Sequence, residues 1–177
     1  PTPAHMVELP RKILVRDDVI SNLGSFLFDL NNNATRIAIV TGNTVRGIAG
    51  QPCLVSIDES LLNSSWHIVT DASIESVNSL QLDLEKYSPD FILGLGGGRS
   101  VDVAKMTAFR ISRPFISVPT SASHDGIASP FVSIRGLDKP HSIKANSPIG
   151  ILADTRLISH APRGLLASGC GDLLGKV

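Results

Sequence analysis

The sequence predicts an α/β fold: a Rossmann-like, mostly parallel sheet with helices on both faces and a small β-hairpin. Short apolar runs alternate along the chain with amphipathic stretches long enough for helices, and strands joined through helices are usually parallel. A cluster of glycines, Gly94 and Gly96 to Gly98, follows one apolar run and opens a helical pattern. The chain is long enough to bury a sizeable core around such a sheet.

Taken in order, the elements follow from hydrophobic periodicity. Strands are predicted at 12–16, 36–40, 66–69, 91–93, 115–118 and 149–153. Helices are predicted at about 17–30, 45–56, 73–87, 101–110 and 162–173, with a helical turn at 154–158. Asp17 or Asp18 is expected to cap the first helix and Ser73 the third, because short polar side chains accept from open N–H groups. Residues 131–134 and 142–144 are expected to pair as the hairpin.

The same patterns predict the domain organisation. Residues 7–160 are expected to form one nucleotide-binding α/β domain, and 161–177 the first helix of a second, helical domain. Residues 1–6 lack periodicity and are interpreted as a cloning remnant, with Met6 as the natural start. The chain stops inside a helical pattern without a stop signal, so we expect it to be the amino-terminal part of something longer.

The glycine cluster is the strongest candidate site. Glycine lets backbone N–H groups approach a ligand, and a helix start presents open N–H groups, so phosphate is the expected partner. Arg99 replaces the last glycine of the usual dinucleotide fingerprint, and no P-loop string occurs. A plain tight turn is the alternative, but it needs fewer glycines. Ser100 is expected to cap the helix or contact phosphate, and Asp102 to favour the helix dipole or accept from a ribose or amide.

A second candidate is the loop at 119–130, which also follows a strand. Thr41 to Asn43 follow another, so all three turns are expected at the ligand-binding edge of the sheet. The loop's hydroxyls suit phosphate or a carboxamide, although a polar surface loop has the same composition; they belong to Thr120, Ser121, Ser123 and Ser129. His124 and Asp125 suit acid–base chemistry or a substrate hydroxyl, and equally a solvated pair.

Asp172 follows Gly169 and Gly171 in a helical segment that Gly175 closes, so we expect a partly buried carboxylate in a closely packed helix. A metal would offset the cost of burial, but one carboxylate makes no zinc site and the histidines show no ligand spacing. Cys170 is expected to be a small buried thiol.

Composition excludes several classes of function. The 16 basic and 16 acidic residues cancel, which argues against a nucleic-acid surface. No apolar run reaches transmembrane length, so no membrane insertion is expected. Two cysteines, far apart, predict no disulfide framework and suggest a cytoplasmic setting. Self-association into a homo-oligomer is left open.

Three motifs together resemble a known superfamily. They are GGGRSVDVAK at 96–105, PTSASHDGIASP at 119–130 and GCGD at 169–172. They are similar to the iron-containing alcohol dehydrogenases, glycerol dehydrogenases and dehydroquinate synthases. The middle motif most resembles the sn-glycerol-1-phosphate dehydrogenases, the archaeal enzymes that set the glycerol stereochemistry of membrane lipids. The resemblance runs from about Val7 to the end of the chain.

The resemblance implies a dehydroquinate-synthase-like fold and NAD- or NADP-dependent reduction of dihydroxyacetone phosphate, a phosphorylated triose, to sn-glycerol 1-phosphate. Matching positions imply that the pyrophosphate and nearby cofactor contact Gly96, Gly97, Gly98, Arg99, Ser100, Val101 and Asp102. Those implied for the nicotinamide side are Thr120, Ser121, Ala122, Ser123 and Ser129. Asp125 is implied as a catalytic, substrate-binding residue, and Asp172 as a catalytic substrate and zinc ligand. The family's other zinc ligands are histidines of a second domain, so this chain alone is expected to be inactive.

Alternatives remain open. A glycerol dehydrogenase, a dehydroquinate synthase and a stand-alone nucleotide-binding module without catalysis all share the glycine motif. No carboxylate follows the 36–40 strand, where Thr41 to Thr44 stand, so nothing is expected to repel the 2′-phosphate of NADP. We therefore expect both NAD and NADP to be accepted.

Overall fold

A parallel sheet organises the chain in the computed structural model, which describes residues 9–136 and 143–175. The strands are β1 (Lys12–Arg16), β2 (Arg36–Thr41), β3 (Asn63–Ile68), β4 (Phe91–Gly96), β5 (Phe115–Pro119), β6 (Phe131–Val132), β7 (Ile143–Lys144) and β8 (Gly150–Asp154). Within the described ranges, six of them form one sheet in the order β1-β8-β5-β4-β2-β3, with every neighbouring pair parallel. The predicted fold class is confirmed.

Helices cover both faces of this sheet, as predicted. They are α1 (Leu23–Leu30), α2 (Asn43–Glu59), α3 (Ile74–Tyr87), α4 (Gly98–Arg110), α5 (Thr155–Ser159) and α6 (Arg163–Leu174). Alternate side chains of β2 show the division: Ile37 and Ile39 pack in one core with α1 and α2, and Ala38 and Val40 in the other with α3 and α4. Such a two-sided core explains why the strands are continuously apolar.

The second helix is longer than predicted. Gly47, Gly50 and Pro52 weaken its local helical preference, yet α2 runs for 17 residues. Its inner face is fully buried against the sheet through Ala49, Cys53 and Ile57. Tertiary packing therefore overrides the local sequence.

The predicted cap of the first helix is wrong. Residues 19–22 form a 3₁₀ turn before α1, and Asp18 precedes it with φ 53° and no side-chain capping bond. Asp154, at the end of β8, supplies the capping acceptor instead of Asp18. Its Oδ2 accepts a hydrogen bond from the Ile20 N–H at 3.0 Å. The partner lies more than a hundred residues away, so no local pattern announces it. The Ser73 cap of α3 is confirmed, because Ser73 Oγ accepts from the Ser76 N–H at 3.2 Å.

The predicted hairpin is present in shortened form, with β6 and β7 antiparallel. Ser142, residues 1–6 and Val177 lie outside the described residues. Helix α6 has no buried residue, and Cys170 on it is exposed, which corrects the expected buried thiol. Helix α6 meets the loop at 122–125 through Gly169 and Asp172, and Cys170 lies away from that contact. Among the described helices, none combines the length and apolar character needed to span a bilayer.

Candidate functional site

The carboxyl ends of three neighbouring strands lie at one edge of the sheet. β5, β4 and β2 lie side by side and parallel, so Thr120, Gly97 and Gly42 meet there, as predicted. A cleft of about 710 Å³ opens at this edge, and we call it the main cleft. The residues that line it are Gly42, Asn43, Thr44, Val45, Ile48, Ala49, Val69, Thr70, Gly97, Gly98, Arg99, Ser100, Thr120, Ser121, Ser123, Leu157, His160, Ala161, Pro162 and Leu165.

The glycine turn is packed closely against the second loop. Gly96 has φ 154°, and a Cβ there would lie 2.9 Å from Ser100 Oγ. A Cβ on Gly98 would lie 2.5 Å from the Nε2 atom of His124. A larger residue at Gly98 would therefore push the two loops apart, and one at Gly96 would displace the start of α4. The N-cap of α4 is Gly97, which has no side chain to accept from the first-turn N–H groups. The helix therefore presents open N–H groups to the cleft.

Ser100 is not the cap that the sequence suggested, because it lies inside the first turn of α4. It is nearly buried and lines the cleft, so its contact with phosphate stays a prediction. Arg99 also lines the cleft, and its guanidinium donates to the Thr70 carbonyl at 2.6 Å. Val101 is fully buried under Gly94 of β4, so it supports the turn from behind.

The hydroxyl loop begins beside the glycine turn, because the Thr120 N–H donates to the Gly96 carbonyl at 3.0 Å. Thr120, Ser121 and Ser123 line the cleft, and the Oγ atoms of the two serines lie 3.5 Å apart. Ala122 and Ser129 do not line it. The Ala122 carbonyl faces Gly169 of α6, where any Cβ would collide with it. Ser129 turns towards α4, where its carbonyl is bound by Lys105.

Asp102 sits behind the turn rather than in the cleft. It is 6% exposed, and its Oδ2 accepts from the Ser133 N–H at 3.1 Å. Its Oδ1 is buried with no hydrogen-bond partner among the described residues. Burial raises the pKa of this carboxyl above its ordinary value, opposed by the Ser133 N–H and by nearby Lys105. A buried acceptor without a partner is uncommon, so Oδ1 is open to a hydrogen bond from an N–H or O–H group of a ligand that reaches past the glycine turn.

The two candidate catalytic residues meet where the start of the 3₁₀ turn at 125–127 contacts α6. The Asp125 N–H donates to Asp172 Oδ2 at 2.9 Å, so α6 is tied to the loop there. Asp125 has an exposed side chain and Asp172 is half-buried. His124 Nδ1 accepts from the Gly126 N–H at 2.9 Å, which leaves Nε2 as the protonated nitrogen of the neutral ring.

The sequence analysis missed one central residue, Lys105. It is fully buried and donates to the carbonyls of Gly126, Ser129 and Phe131 at 2.5, 2.7 and 3.0 Å. Burial lowers its pKa from 10.5 to about 8, opposed by the Asp102 and Asp125 carboxylates. The signal was present: Lys105 follows Val101 by four residues and therefore shares the buried face of α4.

Of the cleft walls outside the glycine turn and the hydroxyl loop, the sequence analysis identified only Thr41 to Asn43. Helix α2 contributes Val45, Ile48 and Ala49, and the segment after β8 contributes Leu157, His160 and Leu165. The analysis placed His160 at the surface, and it is indeed exposed, but it also borders the cleft. These residues lie far apart in sequence and carry no shared motif.

The fit of a zinc ion can be tested on the donor set. Within residues 9–136 and 143–175, no three His, Cys, Asp or Glu side chains are grouped to hold a metal. A catalytic zinc takes about three protein ligands. Asp172 would supply one of them at most, so the described residues alone do not fit a zinc site.

Comparison with known proteins now decides the family. The model of the family described as iron-containing alcohol dehydrogenase matches residues 14–162. The chain belongs to this family. The motif resemblance is thereby confirmed: the matched residues include the motifs at 96–105 and 119–130, and the motif at 169–172 lies beyond them.

Close relatives come from archaea. The chain is 46% identical, over 100% of its length, to a protein of Cenarchaeum symbiosum named glycerol-1-phosphate dehydrogenase [NAD(P)+]. It is 42% identical, over 98% of its length, to a protein of the same name from Nitrosopumilus maritimus. It covers 49% of each, so this family member spans about half the length of the curated relatives it matches.

Solved structures support the fold. A probable glycerol dehydrogenase from Sinorhizobium meliloti superposes with a TM-score of 0.83 at 20% identity, over 97% of this chain and 46% of that one. An NADH-dependent butanol dehydrogenase from Thermotoga maritima gives 0.82 at 15% identity, over 96% and 48%. At such identities the likeness concerns the fold alone.

Proposed function

We propose that the full protein reduces dihydroxyacetone phosphate to sn-glycerol 1-phosphate with NADH or NADPH, and that this chain is its cofactor-binding half. The observation that carries the proposal is the 46% identity, along the whole chain, to a relative named glycerol-1-phosphate dehydrogenase [NAD(P)+]. The main cleft lies where the carboxyl ends of parallel strands usually bind ligands, which supports it.

In this proposal, each part of the cleft has one task. The open N–H groups at the start of α4 bind the pyrophosphate, and Gly97 and Gly98 keep side chains out of its way. The hydroxyls of Thr120, Ser121 and Ser123 line the nicotinamide side. A bound reduced nicotinamide supplies hydride chemistry, and the protein supplies its position and orientation.

Substrate binding is proposed for Asp125 and Asp172. Asp125 and Asp172 are joined by the Asp125 N–H, on the loop that continues from the cleft wall. In this proposal the Asp125 carboxylate accepts a hydrogen bond from a substrate hydroxyl, and Asp172 lies beside Asp125. Zinc assistance would need ligands beyond the described residues, so no step here depends on it. The proposed setting is archaeal-type membrane lipid synthesis in the cytoplasm.

Nucleotide binding is tested first, by titrating the chain with NADH and following nucleotide fluorescence. A Cβ on Gly97 would lie 3.3 Å from Ser121 Oγ, so Gly97→Val fills this part of the cleft and is expected to abolish saturable binding. Gly47→Ala is the matched control, because nothing lies within 4 Å of a Cβ there. Undiminished binding by a folded Gly97→Val chain would contradict the proposed site.

Cofactor selectivity is tested by repeating the titration with NADPH. No carboxylate stands at 41–44, and Asn43 and Thr44 are exposed at the cleft. The two dissociation constants are expected to agree within about tenfold, since no charge repels the 2′-phosphate. A much stronger preference for NADH would sink this part of the proposal.

Substrate choice is tested with the full-length gene product. Oxidation of sn-glycerol 1-phosphate is expected to exceed that of glycerol. The reverse preference would favour a glycerol dehydrogenase instead.

A further inference from the structure

The buried ammonium of Lys105 has no task in the proposed chemistry, yet a lysine is rarely buried without one. Its Nζ lies 5.8 Å from the centroid of the Phe115 ring, deep between α4 and the sheet. Each of its three bonds goes to a main-chain carbonyl of the segment 126–131. The packing of α4 on the sheet rests on apolar side chains such as Val101, Val103 and Ala104, and the Lys105 ammonium makes none of those contacts.

Asp102 binds the same loop with the opposite charge. It lies one turn earlier on α4, and its Oδ2 accepts from the Ser133 N–H just beyond β6. The Lys105 ammonium thus donates to carbonyls of the stretch 126–133, and the Asp102 carboxylate accepts from an N–H group of the same stretch. We call Lys105 and Asp102 together the loop clamp.

The clamp adjoins the contact between the candidate catalytic residues. Lys105 holds the Gly126 carbonyl, and the residue before it donates its N–H to Asp172 Oδ2. Gly126 also donates to His124 Nδ1, and His124 lies against Gly98 of the glycine turn. A displaced Gly126 would therefore move both neighbours at once.

We propose that Lys105, assisted by Asp102, is a positioning residue that holds the 124–133 loop on α4 and so places Asp125 against Asp172 and His124 against the glycine turn. The proposal deepens the proposed function, because it concerns the same site. Lys105 itself touches neither cofactor nor substrate. Its role is to fix the main chain that carries the residues which do.

Amide hydrogen exchange of the chain without nucleotide tests the clamp. Lys105→Met keeps the length of the side chain and removes all three donors. Exchange in 124–133 is expected to accelerate about tenfold or more, with the β2 and β4 amides changed by less than about twofold. Lys105→Gln, which keeps two N–H donors, is expected to fall between Lys105→Met and the wild type.

Thr107→Val is the matched control. Thr107 is also fully buried on α4, but among the described residues its Oγ1 bonds only to the Val103 carbonyl within the helix. It should leave exchange of the loop unchanged. Unchanged loop exchange in a folded Lys105→Met chain would overturn the proposal. So would uniform acceleration across the sheet, or failure of both Lys105 variants to fold while Thr107→Val folds, because the lysine would then support the whole domain.

A functional readout follows on the same chains. NADH is expected to bind Lys105→Met more weakly by about tenfold, with partial recovery in Lys105→Gln. Because exchange is measured without nucleotide, a wild-type chain that binds no NADH would defeat the proposed function and leave the clamp test intact. Full NADH affinity in a chain with an accelerated loop would overturn the link between the clamp and the site.

Discussion

Two carboxylates are buried at the same edge of the sheet, and they differ in how they are used. Asp154 is 1% exposed, and both of its oxygens are occupied: Oδ2 by the Ile20 N–H, and Oδ1 by the N–H groups of Arg156 and Leu157 at 3.0 and 3.2 Å. Asp102 is 6% exposed, and only its Oδ2 is occupied among the described residues. A satisfied buried carboxylate is a structural cap, whereas an incompletely satisfied one is a candidate for ligand binding.

The largest expected effect is on stability at the satisfied carboxylate. Asp154→Ala leaves three backbone N–H groups without an acceptor and should lower the free energy of unfolding by about 3 kcal/mol. Asp102→Ala breaks one such bond and should cost about 1 kcal/mol. Urea unfolding of both variants measures the difference. Equal losses of unfolding free energy would contradict the distinction between the two carboxylates.

The second prediction concerns Lys105, the cation next to Asp102. The folded pKa of Lys105 is lowered to about 8 from 10.5, so between these values the unfolded chain keeps a proton that the folded chain has lost. The free energy of unfolding contributed by Lys105 must therefore rise with pH across this window. Relative to Lys105→Met, the wild type should gain about 2 kcal/mol between about pH 8 and pH 9.5.

The measurement is urea unfolding of both chains across that range. The comparison with Lys105→Met is needed because Cys53, whose pKa burial raises to about 12, and Tyr87 contribute the opposite slope. That slope is common to both chains and cancels in the difference. A difference that stays constant with pH would mean that the carbonyl bonds offset the cost of burying the ammonium.

The smallest effect separates stability from binding. Asp102→Asn keeps an oxygen for the Ser133 N–H, so unfolding should change by less than about 1 kcal/mol while NADH binding weakens about tenfold. Asp154→Asn should do the reverse, with stability lost and the dissociation constant kept within about twofold. Calorimetric NADH titration and urea unfolding of both variants check this. Parallel behaviour of the two would remove Asp102 from the proposed cofactor site.

Local patterns predicted much of this molecule because they record which face of each element is buried. The strands at 12–16 and 36–40 agree with β1 and β2 to within a residue at either end, and Ser73 caps α3 as expected. The glycine turn was recognised for the same reason: closely packed backbone requires glycine, and a strand before it and a helix after it are visible in hydropathy.

Other features escaped because their cause is distant. Asp154 was assigned to a short helical turn, and its second task for Ile20 depends on β8 lying next to β1. Lys105 was part of a recognised motif, but its partners were unknown until the loop was folded over α4. Burial of Asp102 follows likewise from that loop rather than from its neighbours in sequence.

The sequence by itself determined the α/β class, the alternation of elements, the glycine turn and the edge of the sheet at which three turns meet, because apolar periodicity and glycine geometry act over a few residues. Only the tertiary structure decided the order of the strands, the walls of the main cleft, the loop clamp and the contact between Asp125 and Asp172. Each of these joins segments that are far apart along the chain. Such contacts form only when the sheet and its two cores place the segments side by side.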